Sequence, residues 1–212
     1  FTGAERVALA AEARAALDCP LCRQRKAALT PYGVTGEHQA SGALPAALVD
    51  AVHRIRTDPG RLKRSWFEGV LAAGISRNQY VEALGVLVTV VAVDTFCRGI
   101  GVQPPALPEP QAGEPSRYEP DGLAYDQAWV PVLQPEAAGP AEADLYPGGA
   151  AMNSKKAMSM VPDEVRGFFD LLVAHYYAPE QQWDFANEYR AISHAQTELI
   201  AGRVSVLNGC AY

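Results

Sequence analysis

The fold is decided by residues 77–99, RNQYVEALGVLVTVVAVDTFCRG, where apolar side chains follow one another from Val81 to Val93. Only Glu82 interrupts that run, and Asp94 closes it. The stretch is about 20 residues long without a turn signal, which is too long for a strand despite its many valines. We therefore predict a helix that is buried on most of its sides, either inside a domain or in an oligomer.

Helical periodicity continues on both sides of this stretch. It predicts an all-α protein of the helical-bundle type, with six or more helices and no sheet. Pro20 interrupts the first helix, and Pro179 and Ser193 are typical helix starts. The predicted helices cover residues 4–29, 44–57, 60–73, 77–99 and 162–176, and two more begin near 179 and 193.

The middle of the chain has a different composition. Residues 102–150 hold ten of the 16 prolines and show little periodicity. Apolar side chains such as Trp129 and Tyr146 indicate an ordered arm that packs on this subunit or a neighbouring one. We therefore expect three parts: a helical unit over 1–101, a proline-rich arm over 102–151, and a second, incomplete helical unit over 152–212.

The overall composition excludes several function classes. The chain has 212 residues and a formal net charge of -6, so a broad nucleic-acid surface is not expected. No run reaches the length of about 18 uncharged apolar residues that a membrane span needs. The first residues also lack the basic-then-apolar pattern of a signal peptide. We expect a cytoplasmic protein that contacts neither membrane nor nucleic acid.

Chemistry is indicated first by the motif Cys19-Pro-Leu-Cys22. Cys97 and Cys210 are isolated, and Cys97 is expected to be a plain buried thiol. A single CxxC typically forms a redox pair, whereas a structural zinc site needs four ligands, usually from two such motifs. We therefore predict redox thiols and no metal. The alternative is a pair of helix-packing thiols without reactivity.

The surroundings of the motif favour ionised thiols. A helix that restarts after Pro20 would place its N-terminal amides at Cys22, and cations near the motif lower a thiol pKa further. Two more residues are candidates for a proton relay to these thiols, namely His53 in mid-helix and Glu82 at the start of the apolar helix. The alternative makes Glu82 a partly exposed first-turn residue and His53 a surface histidine. The cations near the CxxC motif are Arg23, Arg25 and Lys26.

Two segments have a similar pattern, in which a long helix ends in small or polar residues and then Cys. They are Ala16-Leu-Asp-Cys19 and Leu207-Asn-Gly-Cys210. Together with Gly74-Ile-Ser76 before the long apolar helix, this set resembles the AhpD-like alkylhydroperoxidase (carboxymuconolactone decarboxylase) superfamily. The resemblance covers about residues 5–105 and 160–212, with the stretch from Glu198 to Cys210 as the most similar part.

The resemblance implies a Glu one long helix before a CxxC and a His one turn after it, and this chain departs from that pattern. Lys26 stands at the position of the His, and Val7 at that of the Glu. In the second half Glu198 and Cys210 match, but the sequence given stops at Tyr212, before a second Cys and a His. We expect the natural chain to continue. The resemblance makes Glu198 and Cys210 candidate site residues, while the alternative makes Glu198 a capping partner of the last helix.

The resulting functional expectation is a thiol-dependent peroxidase or disulfide reductase. Cys19 or Cys22 would attack a small hydroperoxide, and a thiol reductant would restore the pair without a metal or organic cofactor. The apolar helix and the arm favour a homo-oligomer, either a dimer or a trimer. Two alternatives remain open: a degenerate, non-catalytic binding or oligomeric scaffold, and decarboxylase-type chemistry that uses His53 and Glu82 without thiols.

Overall fold

The computed structural model describes residues 1–42, 44–149 and 152–209 of the chain. It is mostly helical, so the all-α prediction is confirmed. The chain divides into two compact units, residues 1–168 and 169–212. The described α-helices are α1 (Gly3–Ala15), α2 (Pro20–Ala27), α3 (Ala46–Thr57), α4 (Arg64–Ala72), α5 (Arg77–Gly99), α6 (Asn153–Lys156), α7 (Pro162–His175), α8 (Pro179–Gln182) and α9 (His194–Leu207).

The core of the first unit forms around α5, which packs against α1 and α3. Ser76 begins α5 with a capping box, because its hydroxyl accepts from the amide of Gln79 and the Gln79 side chain accepts from the amide of Ser76. By length and composition α5 could also cross a membrane. Its inner side chains, among them Val81 and Leu87, are instead buried in the helical core.

The first predicted helix is two helices, separated at the CxxC motif. α1 ends at Ala15, and α2 begins at Pro20 with Cys19 as its N-cap residue. Proline is well placed at the first helical position, because its fixed φ suits the helix and its missing N–H costs no hydrogen bond there. The break places Cys19 and Cys22 together at the start of α2.

The proline-rich segment packs on its own chain as part of the first unit. Leu133 and Tyr146 are buried, and the Tyr146 hydroxyl donates to the Leu133 carbonyl at 2.7 Å. The Leu133 amide in turn donates to the Ser159 hydroxyl at 2.8 Å. The two compact units divide after residue 168, and the parts that the sequence indicates, 1–101, 102–151 and 152–212, stay a prediction.

The prediction of no sheet needs a small correction. Within this segment β1 (Leu123–Ala124) pairs antiparallel with β2 (Val132–Leu133), with Leu123 opposite Leu133. Each strand has only two residues. The pair joins two parts of the arm that lack helical periodicity. The long irregular connection is otherwise as expected, with short 3-10 turns at several of its prolines.

The second unit contains the end of α7, α8 and α9. Ser193 caps α9, and its partner in the capping box is Gln196. His194, the first residue of α9, is buried between the rings of Tyr177 and Phe185. Several apolar side chains of α9 have large exposed fractions, such as Leu199 at 74%.

Candidate functional site

Two thiols and two imidazoles meet at the start of α2. The Sγ atom of Cys22 lies 3.2 Å from Nδ1 of His53 and 3.6 Å from Nδ1 of His38. The Sγ atom of Cys19 lies 3.6 Å from the same His38 nitrogen. All three cysteines of the described residues are free thiols. We call Cys19, Cys22, His38 and His53 the Cys/His cluster.

The two imidazoles reach the cluster from different elements. His53 is fully buried in the middle of α3, on the face that packs towards α1 and α2. His38 lies in the loop between the 3-10 turn at Pro31–Gly33 and α3, and its side chain is only 8% exposed. The expected alternative of a surface position for His53 is therefore wrong, because α3 presents it to the core.

A buried carboxylate contacts the ring nitrogen of His53 that faces away from the thiols. Nε2 of His53 lies 2.7 Å from Oε1 of Glu12, and both side chains are completely buried. The other oxygen of Glu12 accepts the backbone N–H of Ser41 at 2.9 Å and also the Ser41 hydroxyl. Burial alone would raise the pKa of Glu12, but the hydrogen bonds from Ser41 and His53 outweigh it and lower that pKa.

A second carboxylate holds His38 in the same way. Nε2 of His38 lies 3.0 Å from Oδ1 of Asp50. Arg25 and Arg54 donate to Asp50 at 2.9 and 3.0 Å, and the indole of Trp66 donates at 3.3 Å. Burial opposes ionisation of Asp50, yet these partners keep its pKa well below the usual range.

These contacts move the pKa values of the cluster in opposite directions. Burial disfavours the Cys22 thiolate, but hydrogen bonds from His38 and His53 outweigh it and lower the pKa of Cys22 to about 6. Burial would likewise lower the pKa of His38, but Asp50 and the two thiols raise it to about 10. Around neutral pH the geometry therefore favours a thiolate on Cys22 beside an imidazolium on His38.

Cys19 is the less acidic partner. Burial raises the pKa of its thiol, whereas the amides of Cys22 and Gln39 and the His38 ring lower it, with a net decrease. Both cysteines are buried, with exposed fractions of 1% for Cys19 and 4% for Cys22. A crevice of about 10 Å³, room for about one water molecule, is lined by Cys22, Arg25, Arg54 and Arg61 and not by Cys19, so Cys22 is the thiol nearer to an opening.

Of the predicted site residues, the structure brings Cys19, Cys22 and His53 together, but not Glu82. The Glu82 carboxylate lies 2.5 Å from the backbone nitrogen of Phe1 and 3.9 Å from Arg6. The carboxylate that contacts His53 is Glu12 and not the predicted Glu82, because α1 packs against α3 beside His53.

The two candidates of the second unit are not joined in a described site. Glu198 accepts a hydrogen bond from the Tyr176 hydroxyl and lies 3.6 Å from His194. Its expected alternative role as the capping partner of α9 belongs to Gln196. Cys210 lies outside the described residues. Cys97 is buried in α5, as predicted.

Two residues of the site, Glu12 and Asp50, were not singled out from the sequence. For His38, which lies in a loop with glycines nearby, the sequence left open a position in a site and exposure to solvent. The available signal was the segment Gly36-Glu-His38, a lone histidine within about 20 residues of a CxxC. A helical periodicity search gives no weight to such a residue, because a loop has no period.

The donor atoms of the cluster are chemically suited to two roles. Thiolate sulfur and imidazole nitrogen serve in proton-coupled thiol chemistry, and they are also the preferred ligands of zinc. Comparisons with protein-family models, with curated proteins and with solved structures found no match for this chain. The arguments for function therefore rest on the geometry of the site.

Proposed function

We propose that this protein is a thiol-dependent peroxidase that uses Cys22 as the attacking thiol and Cys19 as the resolving thiol. The observation that carries the proposal is the contact of 3.2 Å between Sγ of Cys22 and Nδ1 of a fully buried His53, with Cys19 three residues before Cys22 at the same helix start. A reactive thiol needs an ionised sulfur, a proton donor and a nearby second thiol, and these residues supply all three.

In the first step the Cys22 thiolate attacks the terminal oxygen of a hydroperoxide, ROOH. The S–O bond forms as the O–O bond breaks, and the leaving alkoxide takes a proton from an imidazolium to give the alcohol ROH. Cys22 becomes a sulfenic acid, oxidised by two electrons. His38 is the proposed proton donor, because Asp50 holds its ring in the charged form.

In the second step the sulfur of Cys19 attacks the sulfenic sulfur of Cys22. The S–S bond forms, the S–O bond breaks, and the hydroxide leaves as water with the proton from Cys19. The balance is ROOH plus two thiols to ROH, water and one disulfide. A small dithiol or a protein dithiol must then return two electrons through thiol exchange.

The two carboxylates act as positioning groups in this proposal. Glu12 and Asp50 each bind Nε2 of one imidazole, which directs both Nδ1 atoms towards the thiols. Decarboxylase-type chemistry through His53 and Glu82 has no support, because Glu82 lies near Arg6, whereas the carboxylate that contacts His53 is Glu12. A non-catalytic scaffold is the remaining alternative, and the lowered pKa of Cys22 beside a second thiol favours a reactive pair over it. AhpD-like membership remains a proposal.

The test is peroxide turnover with a dithiol reductant, measured on the reduced and chelator-treated chain. The proposal expects Cys22→Ser to abolish turnover. It expects Cys19→Ser, given peroxide without reductant, to consume one equivalent and to leave Cys22 as a sulfenic acid instead of the Cys19–Cys22 disulfide. Cys97→Ser is the matched control, because that thiol is buried outside the cluster and should not affect the rate. Equal turnover by Cys22→Ser and the parent chain would reject the proposal.

A further inference from the structure

The Cys/His cluster has the geometry of a metal site. The four ligand atoms, Sγ of Cys19 and Cys22 and Nδ1 of His38 and His53, all lie within 4.8 Å of one another. Three of the S–N separations are 3.2, 3.6 and 3.6 Å. With Zn–S bonds of about 2.3 Å and Zn–N bonds of about 2.0–2.1 Å, a tetrahedral ion spaces neighbouring sulfur and nitrogen ligands about 3.5 Å apart.

The residues behind the imidazoles complete the pattern of a metal centre. A metal-bound imidazole usually donates its other N–H to a carboxylate, which fixes the tautomer and turns the free lone pair to the metal. Both histidines have that partner here, Asp50 for His38 and Glu12 for His53, at 3.0 and 2.7 Å. Both imidazoles therefore present Nδ1 to the sulfurs, as two ligands of one ion would.

The donor set also selects the kind of ion. Two thiolates and two imidazoles in a tetrahedral array suit zinc rather than calcium or magnesium, which prefer oxygen ligands. Two thiolate charges balance one divalent ion, which removes the cost of burying either alone. Because all four ligands come from the protein, such a centre has no open position for water and is of the structural class.

We infer that Cys19, Cys22, His38 and His53 bind one zinc ion, which joins the start of α2, the loop that carries His38 and the middle of α3. This inference rests on the four donor atoms and stands whether or not the pair reduces peroxides. One consequence does rest on the proposed function. An ion held by both sulfurs leaves neither free to attack, so zinc and the Cys19–Cys22 disulfide exclude each other, and the metal-bound form is the protected state of the thiols.

The direct experiment is metal titration of the full chain, reduced and freed of metal by a chelator. Zinc chloride is added in competition with a chromophoric chelator, and cobalt chloride serves as the optical probe. We expect one equivalent to bind, with the d–d absorption of tetrahedral cobalt and a sulfur-to-cobalt charge-transfer band. Binding should protect both thiols of the CxxC from alkylation.

Variants separate this site from unspecific thiol binding. His38→Ala should remove the tetrahedral cobalt spectrum, and Asp50→Asn, a milder change behind the ligand, should weaken zinc binding by about 10- to 100-fold. Cys97→Ser should bind as the parent chain does. Circular dichroism shows whether each variant keeps its helices. If His38→Ala disturbs the fold, the zinc affinity of Asp50→Asn compared with that of Cys97→Ser decides the test.

The outcomes for metal and redox chemistry are independent. No zinc uptake by the folded, reduced chain, or uptake that Asp50→Asn and Cys97→Ser leave equally unchanged, would overturn the metal inference. The proposed peroxidase would then still be judged by turnover of the chelated protein. Tight zinc binding without any peroxide turnover in the metal-free form would support the metal centre and reject the peroxidase.

Discussion

Cys22 and His53 are 31 residues apart in the chain, yet Sγ of the first lies 3.2 Å from Nδ1 of the second. The contact is made by the N-terminus of α2 and the buried face of α3. Neither residue is exposed enough to exchange its partner freely with water. Several measurable consequences follow from this pair and from the groups behind it.

The first prediction concerns the pH dependence of alkylation. In the metal-free protein the pKa of Cys22 is lowered to about 6, against about 8.5 for a free cysteine. As pH falls through about 6 the thiolate takes up a proton, so the rate of iodoacetamide reaction at Cys22 should fall there and be nearly constant above pH 7. Peptide mapping assigns the rate to Cys22. A midpoint near 8.5 would contradict the proposed activation.

The second prediction concerns Asp50. The Asp50→Asn variant removes the anion that stabilises the His38 imidazolium, so the pKa of His38 should decrease and that of Cys22 should increase towards its ordinary value. The alkylation midpoint should therefore move to higher pH. Asp144→Asn is the control, because Asp144 pairs with Arg166 outside the Cys/His cluster. An unchanged midpoint in Asp50→Asn would contradict the role given to His38.

The third prediction concerns the stability of the buried pair of Glu12 and His53. Glu12→Gln removes the charge of a completely buried carboxylate that has three hydrogen-bonding contacts. We expect the free energy of unfolding to decrease by about 3–5 kcal/mol. Glu68→Gln changes an exposed carboxylate of α4 in the same way and should stay within about 0.5 kcal/mol. Urea denaturation gives the free energy of unfolding of both variants. An equal decrease in the two would contradict the role given to the Glu12–His53 pair.

The fourth prediction uses two helical glycines as a matched pair. A Cβ atom added at Gly85 in α5 would lie 2.1 Å from Oε2 and 2.9 Å from Cβ of Glu164, so Gly85→Ala should destabilise the first unit by about 1–3 kcal/mol. At Gly69 in α4 nothing lies within 4 Å, and Gly69→Ala should stabilise by up to about 1 kcal/mol. Thermal denaturation should give opposite signs, and a stabilising Gly85→Ala would contradict the packing described.

The fifth prediction concerns assembly. Ile200, Val204 and Leu207 lie on one face of α9 and are 55%, 49% and 69% exposed, which is a large apolar surface for a chain in water. We expect a homo-oligomer, either a dimer or a trimer. Light scattering at micromolar concentration gives the mass, and a value of one chain would contradict the expectation. Val204→Asp should shift the mass towards the monomer if this face is in contact.

The sequence predicts the helices well because their periodicity is local. The apolar run of α5 and the capping residues Ser76 and Ser193 each depend on residues within one or two turns. The sequence predicts one helix over residues 4–29 that Pro20 interrupts, and the structure has two separate helices there, since a proline fits a helix start as well as a bend. The segment 102–150 was correctly expected to be irregular, but its two-residue strands carry no pattern long enough to detect.

The site was only half predictable, because its members are far apart in the chain. The CxxC is a local motif and His53 was found by its helix position, whereas Glu12 and Asp50 are ordinary charged residues until α1 and α3 pack together. The expected Glu82 has the same charge and a similar apolar setting as Glu12. Only the packing of three helices decides which of the two carboxylates meets an imidazole.

The central claim is that Cys19 and Cys22 form a reactive dithiol. The most direct measurement is one equivalent of a small hydroperoxide added to the reduced, chelator-treated chain, followed by alkylation and peptide mass spectrometry. The account predicts that Cys19 and Cys22 lose their thiols together as one disulfide within a single turnover, while Cys97 stays alkylatable after unfolding. Recovery of both Cys19 and Cys22 as free thiols, with the peroxide unconsumed, would contradict it.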